Sequence, residues 1–366
     1  MGVYIQRKLR QALGSVKDHA SVGKAMLHSH EGKAFSDIEI AVVRATGHDN
    51  SPIDDKQMHE ILFLVSNSPG SIPFLAERIS CRLGKTKDHL VALKTLLLVH
   101  RLLRGGNRCF EQQLRSAHAS GHLQMIARII SDPPVSFLHK YASYLEERVG
   151  WVINQAGKLE PAVSGSLEFR CYHDKSMDLV FHKLPKCQAF IHRVLDFSPV
   201  DILSCDNLAQ AAMNNTLKES FQVYMTYCEG VAALVNMFFD LTMPARALAC
   251  KILKRASHQS QKLDNLYEKC KQMIGNKNLE YPLVEIITMD HVVALENCSV
   301  STPTSPRSSP TPPMLSNRLT SSSKSQQVLG MNASDVTLFS WTMETKISKV
   351  WVVFEDENDL SLTSVK

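Results

Sequence analysis

The residues best able to do chemistry in this 366-residue chain are a Gly-Lys-Thr run, a Ser-Gly-Ser run and scattered histidines. The Gly-Lys-Thr run at Gly84 resembles the end of a phosphate-binding loop, but that loop requires a glycine where Ile79 stands. The Ser-Gly-Ser run at Ser164 does not satisfy the nucleophile-elbow pattern. His28 and His30 point to different sides of a helix, and no H-E-x-x-H zinc pattern occurs. The sequence therefore predicts no catalytic residue, no metal and no cofactor.

These residues are instead expected to have structural roles. Lys85 and Lys87 are expected to be solvated lysines in a turn between two helices. The nine cysteines contain no C-x-x-C pair, and most, such as Cys228 and Cys250, lie in apolar helical runs as packed thiols. His100 stands in the middle of an apolar run, which predicts a hydrogen-bonded core histidine. Together with the missing secretory signal, this cysteine usage predicts a cytosolic chain.

Basic charge is concentrated near the N-terminus, although the whole chain has a formal charge of only +5. Before residue 35, Asp18 and Glu31 are the only acids, and the basic residues are Arg7, Lys8, Arg10, Lys17, Lys24 and Lys33. Apolar residues recur at helical spacing in 4–16. Such a basic amphipathic helix can lie in a membrane interface. The alternative is a first helix that packs on the second and keeps its charges solvated.

A second basic surface is predicted on the long helix at 245–274. No aromatic residues interleave with it and no reading motif accompanies it, so we predict no nucleic-acid partner. A solvated face is the default interpretation, and contact with an acidic membrane or a partner helix is the alternative.

Helical periodicity runs through the first 290 residues. Apolar positions recur at three- and four-residue spacing in the following intervals: 36–47, 56–66, 73–83, 88–104, 122–130, 138–154, 177–197, 206–241 and 245–274. Ser36 is the predicted N-cap of the first interval. Short polar breaks separate the helices, and strand-like alternation is scarce. The pattern predicts an all-α protein in which helix pairs stack into a solenoid.

The composition changes after the helices. Residues 291–330 are rich in Ser, Thr and Pro, which predicts a flexible linker. Residues 331–366 form an acidic tail, predicted to be largely disordered, with apolar islands at 338–341 and 350–354. These islands are candidate binding peptides. Alternatively, 347–354 packs on the body as a strand or helix.

Three segments resemble the ANTH domain of plant-type clathrin assembly proteins, which is related to the ENTH domain. They are RQALGSVKDHASVGKA at 10–25, IEIAVVRATGHDNSPIDDKQMHEIL at 38–62 and RLGKTKDHLVALKTLLLVHRLLRGGNRCF at 82–110. A looser resemblance passes through YASYLEERV at 141–149 and continues to about residue 275. The resemblance implies that residues 1–290 form a right-handed helical solenoid that binds phospholipid.

The resemblance also implies a function. It implies a non-enzymatic endocytic adaptor with two partners, phosphatidylinositol 4,5-bisphosphate in anionic membrane and clathrin heavy chain. By binding both, such an adaptor promotes coat assembly and vesicle budding. R-SNAREs and adaptor complexes are further implied partners. The implied location is the cytoplasmic, peripheral membrane of clathrin-coated pits and vesicles, at the plasma membrane or the Golgi. The alternative is a helical interaction scaffold with weak or lost phosphoinositide specificity.

The family's lipid motif is only partly present. It consists of a basic residue, nine spacers, a Lys, any residue, a Lys or Arg, and a His or Tyr. Arg44 and Lys56 fit it, whereas Asp54 and Gln57 occupy the second basic position and the last position. Losing one cation and gaining one anion at an anionic surface weakens binding by about 2 kcal/mol. Weaker headgroup specificity is therefore expected.

Other basic residues are expected to restore part of this binding. Lys17, Lys24 and the basic cluster from Arg7 to Arg10 provide a diffuse electrostatic contact with anionic membrane, and His59 adds to it when protonated. In the tail, the nearest match to a short clathrin-binding motif follows an acidic run and consists of Asp359, Leu360 and Leu362. No Asp-Pro-Phe or Asn-Pro-Phe triplet and no complete clathrin box accompanies it.

Overall fold

The computed structural model describes nine parts of the chain. These are residues 2–27, 33–66, 68, 70–125, 135–154, 156–162, 172–199, 207–274 and 279–300. The described residues form twelve α-helices: α1 Gly2–Leu27, α2 Lys33–Ala45, α3 Asp55–Ser66, α4 Ser71–Lys85, α5 His89–Gly105, α6 Arg108–Ala119, α7 Val135–Arg148, α8 Tyr172–Asp178, α9 Leu184–Leu195, α10 Asn207–Asn236, α11 Met243–Ile274 and α12 Met289–Val300. They also include a hairpin of two short strands, β1 Trp151–Ile153 and β2 Leu159–Pro161.

The helices pack mainly on their near neighbours in the sequence. Helix α2 contacts α1, α3 and α4, and α4 in turn contacts α5 and α6. Further along, α7 lies between α5 and α9, α9 contacts both α10 and α11, and α12 packs on α11. This order is that of a helical solenoid. The predicted all-α solenoid is confirmed.

Helix α5 forms the centre of the N-terminal half. Every residue from Val91 to Leu103 is buried except Arg101. A helix that is apolar on all sides must be surrounded by other elements, and burial of each large aliphatic side chain contributes about 1.5–3 kcal/mol. Asp88 caps the helix because its carboxylate accepts a hydrogen bond from the backbone N–H of Leu90 at 2.9 Å.

Helix α6 was not predicted, and the helix predicted at 122–130 is wrong where the structure describes it. Residues 121–125 are not helical, and 126–130 lie outside the described residues. Helix α6 begins because the side chain of Asn107 accepts a hydrogen bond from the backbone N–H of Phe110 at 2.9 Å. Helix α5 ends at Gly105 and α6 begins at Arg108, so only Gly106 and Asn107 connect the two helices.

The helix predicted at 138–154 ends early. Helix α7 stops at Arg148, and an antiparallel hairpin follows in which Trp151 pairs with Pro161 and Ile153 with Leu159. Gly157 has a φ of +73°, which closes the turn of the hairpin. Strand β2 has only three residues, and its alternation of buried and half-buried side chains is too brief to be distinguished from helical spacing in the sequence.

Two local predictions also need correction. The helix predicted at 177–197 is interrupted by one π-helical segment, Leu179–Lys183, because Pro185 lacks the N–H that would continue the α-helical pattern. Ser36 is not an N-cap, since α2 begins three residues earlier and the Ser36 hydroxyl donates to the carbonyl of Ala25 on α1 at 3.0 Å. The two long helices α10 and α11 agree with the prediction.

The helical domain extends past residue 290, its end as predicted from the sequence. Helix α12 occupies the first ten residues of the predicted linker and packs on α11, with Val292 buried and Lys254 Nζ 2.7 Å from Glu296 Oε2. The described residues from Gly2 to Val300 belong to one compact unit. The rest of the predicted linker and the whole acidic tail, including 347–354, lie outside the described residues.

Candidate anion-binding groove

Helix α1 is held on the domain by the carboxylate of Asp18. Its Oδ2 accepts hydrogen bonds from the backbone N–H of His48 at 3.0 Å and pairs with His48 Nδ1 at 2.8 Å. Its Oδ1 accepts from Arg82 Nη2 at 2.8 Å. Arg82 also donates to the side chain and the carbonyl of Thr46 at 3.1 and 2.8 Å. We call Asp18, His48, Thr46 and Arg82 the Asp18 clamp, which joins α1, the end of α2 and α4.

The electrostatics of the Asp18 clamp favour an ionised carboxylate. Partial burial raises the pKa of Asp18, but hydrogen bonds from Arg82 and His48 outweigh that effect and leave the pKa below its ordinary value. The side chains of Asp18 and Arg82 are 17% and 14% exposed, so solvent screens this ion pair less than an ordinary surface pair.

Gly14 brings α1 close to His48. A Cβ at Gly14 would lie 2.4 Å from Cβ of His48, so no larger residue fits without displacement. The next residue of this turn, Asp49, is fixed from the other side by Lys94, whose Nζ lies 2.8 Å from Asp49 Oδ1. Burial alone would raise the pKa of Asp49, but hydrogen bonds from Lys94 and Ser51 lower it to about 2. The turn therefore gives α1 a rigid surface to dock on.

A groove of about 1440 Å³ runs between α1, α2, α4 and the start of α5. Six Lys and Arg side chains line it: Lys17, Lys24, Arg78, Arg82, Lys85 and Lys87. Two acids, Glu39 and Asp88, and two histidines, His48 and His89, also line it. The excess of cations makes this groove suited to an anion with several charges.

Arg78 is only partly paired inside the groove. Its Nη1 lies 3.7 Å from Glu39 Oε2, and its guanidinium lies 5.0 Å from the centre of the Phe74 ring. Within the described residues, its buried Nε has no hydrogen-bond partner. A guanidinium held in this way keeps donor capacity for an oxyanion.

The predicted lipid-binding residues fall into two groups. Lys17 and Lys24 are exposed on α1 and line the groove. Arg44, Lys56 and His59 are also exposed, but they lie on α2 and α3 and do not line it. The structure therefore brings the lysines of α1 together with basic residues of α4 and the following turn, and leaves the three motif-related residues on a separate surface.

The two departures from the family motif form a helix cap. The Asp54 carboxylate accepts a hydrogen bond from the backbone N–H of Lys56 at 3.1 Å, and the Gln57 side chain accepts from the backbone N–H of Asp54 at 3.1 Å. This reciprocal arrangement is a capping box. Gln57 Nε2 also reaches the carbonyl of Arg44 at 3.5 Å. Asp54 and Gln57 therefore stabilise the start of α3 at the positions where the motif would place lipid-binding side chains.

An exposed apolar stripe follows α1 beside the groove. Leu9, Leu13 and Val16 are 58%, 63% and 66% exposed, and their spacing places them on one face. Leu9 and Leu13 also line the groove. A cationic groove bordered by exposed aliphatic side chains matches a surface of anionic headgroups above acyl chains.

The contribution of Arg78, Arg82, Lys85 and Lys87 to this groove was not predicted from the sequence. Lys85 and Lys87 are exposed, as predicted for solvated lysines, but they face the same groove as Lys17. The signal available in the sequence was the position of Arg82, Lys85 and Lys87 in RLGKTKDH, the start of one of the three segments that carry the family resemblance. The distance in sequence between α1 and this turn concealed their proximity.

A buried polar cluster joins α5, α7 and α10. Glu219 Oε2 accepts from Arg148 Nε at 2.9 Å and from the Tyr144 hydroxyl at 2.5 Å, and it lies 3.0 Å from His100 Nε2. Burial alone would raise the pKa of Glu219, but Arg148 and His100 outweigh it and hold the pKa well below its ordinary range. His100 is thus a core histidine, as predicted, since its Nδ1 also lies 2.8 Å from the hydroxyl of Tyr141.

The described residues give two further findings. They contain no group of three or more His, Cys, Asp or Glu side chains that could hold a metal ion. No helix among them combines the length and the apolar character needed to cross a bilayer. The candidate clathrin-binding residues Asp359, Leu360 and Leu362 lie outside the described residues.

Comparison with known proteins identifies the family. The ANTH domain model matches residues 37–301, which is most of the helical unit. The chain belongs to the ANTH domain family. The match begins after α1, so the clamp and the groove combine ANTH domain residues with a helix that precedes the matched segment.

Relatives of this ANTH domain protein are named as clathrin assembly proteins. The Arabidopsis thaliana protein "Putative clathrin assembly protein At1g33340" is 56% identical over 362 residues, which covers 98% of this chain and 96% of that protein. Two others from the same plant, At4g02650 and At1g14910, have the same type of name and are 32% and 30% identical over 313 and 289 residues. These alignments cover 77% and 75% of this chain, but only 51% and 41% of those longer proteins.

Family membership supports an endocytic adaptor role for this chain. The ANTH domain accounts for the helical unit, and the relatives' names associate the family with clathrin assembly. The relation at 56% identity spans the tail as well as the helices.

Proposed function

We propose that this protein is a non-enzymatic endocytic adaptor that binds phosphoinositide-containing membrane through the groove beside α1. The observation that carries the proposal is the placement of six basic side chains around one groove, next to the exposed stripe of Leu9, Leu13 and Val16. A headgroup with several phosphates interacts with more of these cations than a headgroup with one. The groove therefore favours phosphatidylinositol 4,5-bisphosphate over lipids that carry a single charge.

The binding energy has two parts. Each basic residue near an anionic membrane surface contributes about 1 kcal/mol, so the groove lysines and arginines together provide several kcal/mol. The apolar stripe adds burial in the acyl boundary once the helix reaches the surface. The first part weakens with salt and the second does not, because only the first is screened by ions.

The acidic tail is proposed to bind clathrin heavy chain through Asp359, Leu360 and Leu362. Weak contacts with membrane and coat, joined in one chain, become strong only when both are made at once. Such a chain promotes coat assembly and vesicle budding at clathrin-coated pits of the plasma membrane or the Golgi. R-SNAREs and adaptor complexes are proposed as further partners of the helical surface.

A second candidate is a helical interaction scaffold with weak phosphoinositide specificity. The observation that favours it is the capping box of Asp54 and Gln57, which occupies two positions of the family's lipid motif. Under this proposal the basic groove attracts anionic membrane without selecting a headgroup.

Liposome co-sedimentation of the full chain distinguishes the two candidates. The vesicles contain phosphatidylinositol 4,5-bisphosphate in one arm and phosphatidylserine at matched charge in the other. The adaptor proposal predicts stronger binding to the bisphosphate vesicles. Equal binding in both arms would contradict it and favour the scaffold.

For clathrin, a pull-down with the Leu360→Ala, Leu362→Ala double variant is expected to lose heavy chain, and full retention would remove these residues from the proposal.

A further inference from the structure

We infer that Asp18 is a positioning residue for the headgroup: its carboxylate orients α1 so that Lys17 and Lys24 face the basic residues across the groove. The inference rests on the proposed membrane function. Asp18 itself does not line the groove, and it acts through its hydrogen bonds to His48 and Arg82.

Helix α1 has few apolar attachments to the domain. Among the α1 side chains that the structure describes, only Gly14 and Ala25 are buried, and neither provides much apolar area. The three hydrogen bonds of Asp18 are therefore a large share of what fixes the rotation of α1. Lys17 precedes Asp18 directly, and Lys24 follows it by about two helical turns. A rotation of α1 about its axis would move both lysines away from the groove.

The charge of Asp18 makes the inference testable. An acid close to an anion-binding groove weakens binding by simple electrostatics, so its neutralisation should strengthen binding to any anionic surface. A positioning role predicts the opposite for a headgroup with several phosphates, because the two lysines lose their fixed placement. The two accounts therefore predict changes of opposite sign.

The test compares the full chain with Asp18→Asn and a matched variant, Asp37→Asn. Both substitutions change an aspartate to an asparagine and remove one negative charge, and Asp37 lies on α2 outside both the groove lining and the Asp18 clamp. Binding is measured to vesicles containing phosphatidylinositol 4,5-bisphosphate and to phosphatidylserine vesicles of matched charge. Asp18→Asn is expected to lower the ratio of the two affinities about fivefold while binding to phosphatidylserine is unchanged or slightly stronger. Asp37→Asn is expected to keep the ratio.

Folding of the variant is checked by hydrogen exchange without vesicles. The inference predicts faster exchange in α1 and unchanged exchange in α5 and α10. If Asp18→Asn disturbs those core helices, His48→Ala tests the same point, since it removes one Asp18 contact without removing an acid. It is expected to lower the ratio about twofold.

Three results separate the inference from the proposed function. A ratio that stays the same or rises in Asp18→Asn, with a folded core, would overturn the positioning role while leaving the proposed function intact. A fall of equal size in Asp37→Asn would also overturn it, because charge removal alone would then explain the loss. Equal binding of the unaltered chain to both vesicles would refute the proposed function, and the positioning role with it.

Discussion

At the scale of single residues, two glycines of α1 have opposite requirements. Gly14 packs against His48, and a Cβ there would lie 2.4 Å from the His48 side chain, whereas a Cβ at Gly23 would meet nothing within 4 Å. Gly14→Ala is therefore expected to destabilise the docking of α1 by about 1–3 kcal/mol. Gly23→Ala should stabilise the helix by about 0.5–1 kcal/mol, because glycine is unfavourable in a helix interior. Hydrogen exchange of the α1 amides measures both changes, and equal effects would contradict the close contact with His48.

Glu219 is the residue on which the buried cluster depends. Glu219→Gln would leave Arg148 without its buried counter-charge, which costs about 3–5 kcal/mol of unfolding free energy. Because the pKa of Glu219 lies well below its ordinary value in the folded chain, the ionised carboxylate stabilises the fold above the unfolded pKa, and this contribution is lost as pH falls. Thermal unfolding from pH 5 to pH 2 should show this loss in the unaltered chain and a smaller one in Glu219→Gln. Parallel pH profiles would contradict the assignment.

At the scale of elements, the start of α3 carries a helix cap at the positions where the family's lipid motif has a Lys and a His or Tyr. Asp54→Lys supplies the cation that the family motif requires but removes the carboxylate that caps the helix. It is expected to lower stability by about 1 kcal/mol and to strengthen binding to anionic vesicles by about 2 kcal/mol, or roughly thirtyfold.

Asp54→Asn is the matched control for this change, since asparagine caps helices as well as aspartate does. It should keep the stability and gain only about fivefold in binding, because it removes an anion without adding a cation. Chemical denaturation and vesicle co-sedimentation measure the two quantities. Unchanged stability in Asp54→Lys would show that the capping box contributes little.

Elements with strong periodicity could be predicted from the sequence, and those set by local caps could not. The long helices α10 and α11 and the apolar helix α5 follow directly from their spacing. Helix α6 depends on the cap at Asn107, and the hairpin at Trp151 depends on strands of three residues each, too short to show a period. Of the residues that line the candidate groove, the sequence singled out Lys17 and Lys24 but not those on α4, which lie about sixty residues away in sequence, a separation that periodicity does not bridge.

At the scale of the whole molecule, the net charge of +5 combines a basic N-terminal region with an acidic tail. The basic groove lies at the N-terminal end of the chain, and the acidic tail with its proposed clathrin contact lies at the other end. Binding to membrane and coat is therefore expected to be cooperative in one chain. Clathrin recruitment to bisphosphate vesicles should fall both in the Lys17→Glu, Lys24→Glu variant of the groove and in the Leu360→Ala, Leu362→Ala variant of the tail. Loss in only one of them would contradict the proposed linkage.

We expect the headgroup to be selected by the groove beside α1 and not by the surface of Arg44, Lys56 and His59 on α2 and α3. The decisive comparison is between two double variants that change the charge of the full chain equally: Lys17→Glu, Lys24→Glu in the groove and Arg44→Glu, Lys56→Glu at the motif positions. The groove variant should lose the preference for bisphosphate vesicles over phosphatidylserine vesicles of matched charge, while the motif variant should bind both more weakly and keep the preference. A preference that survives in the groove variant and disappears in the motif variant would refute selection by the groove.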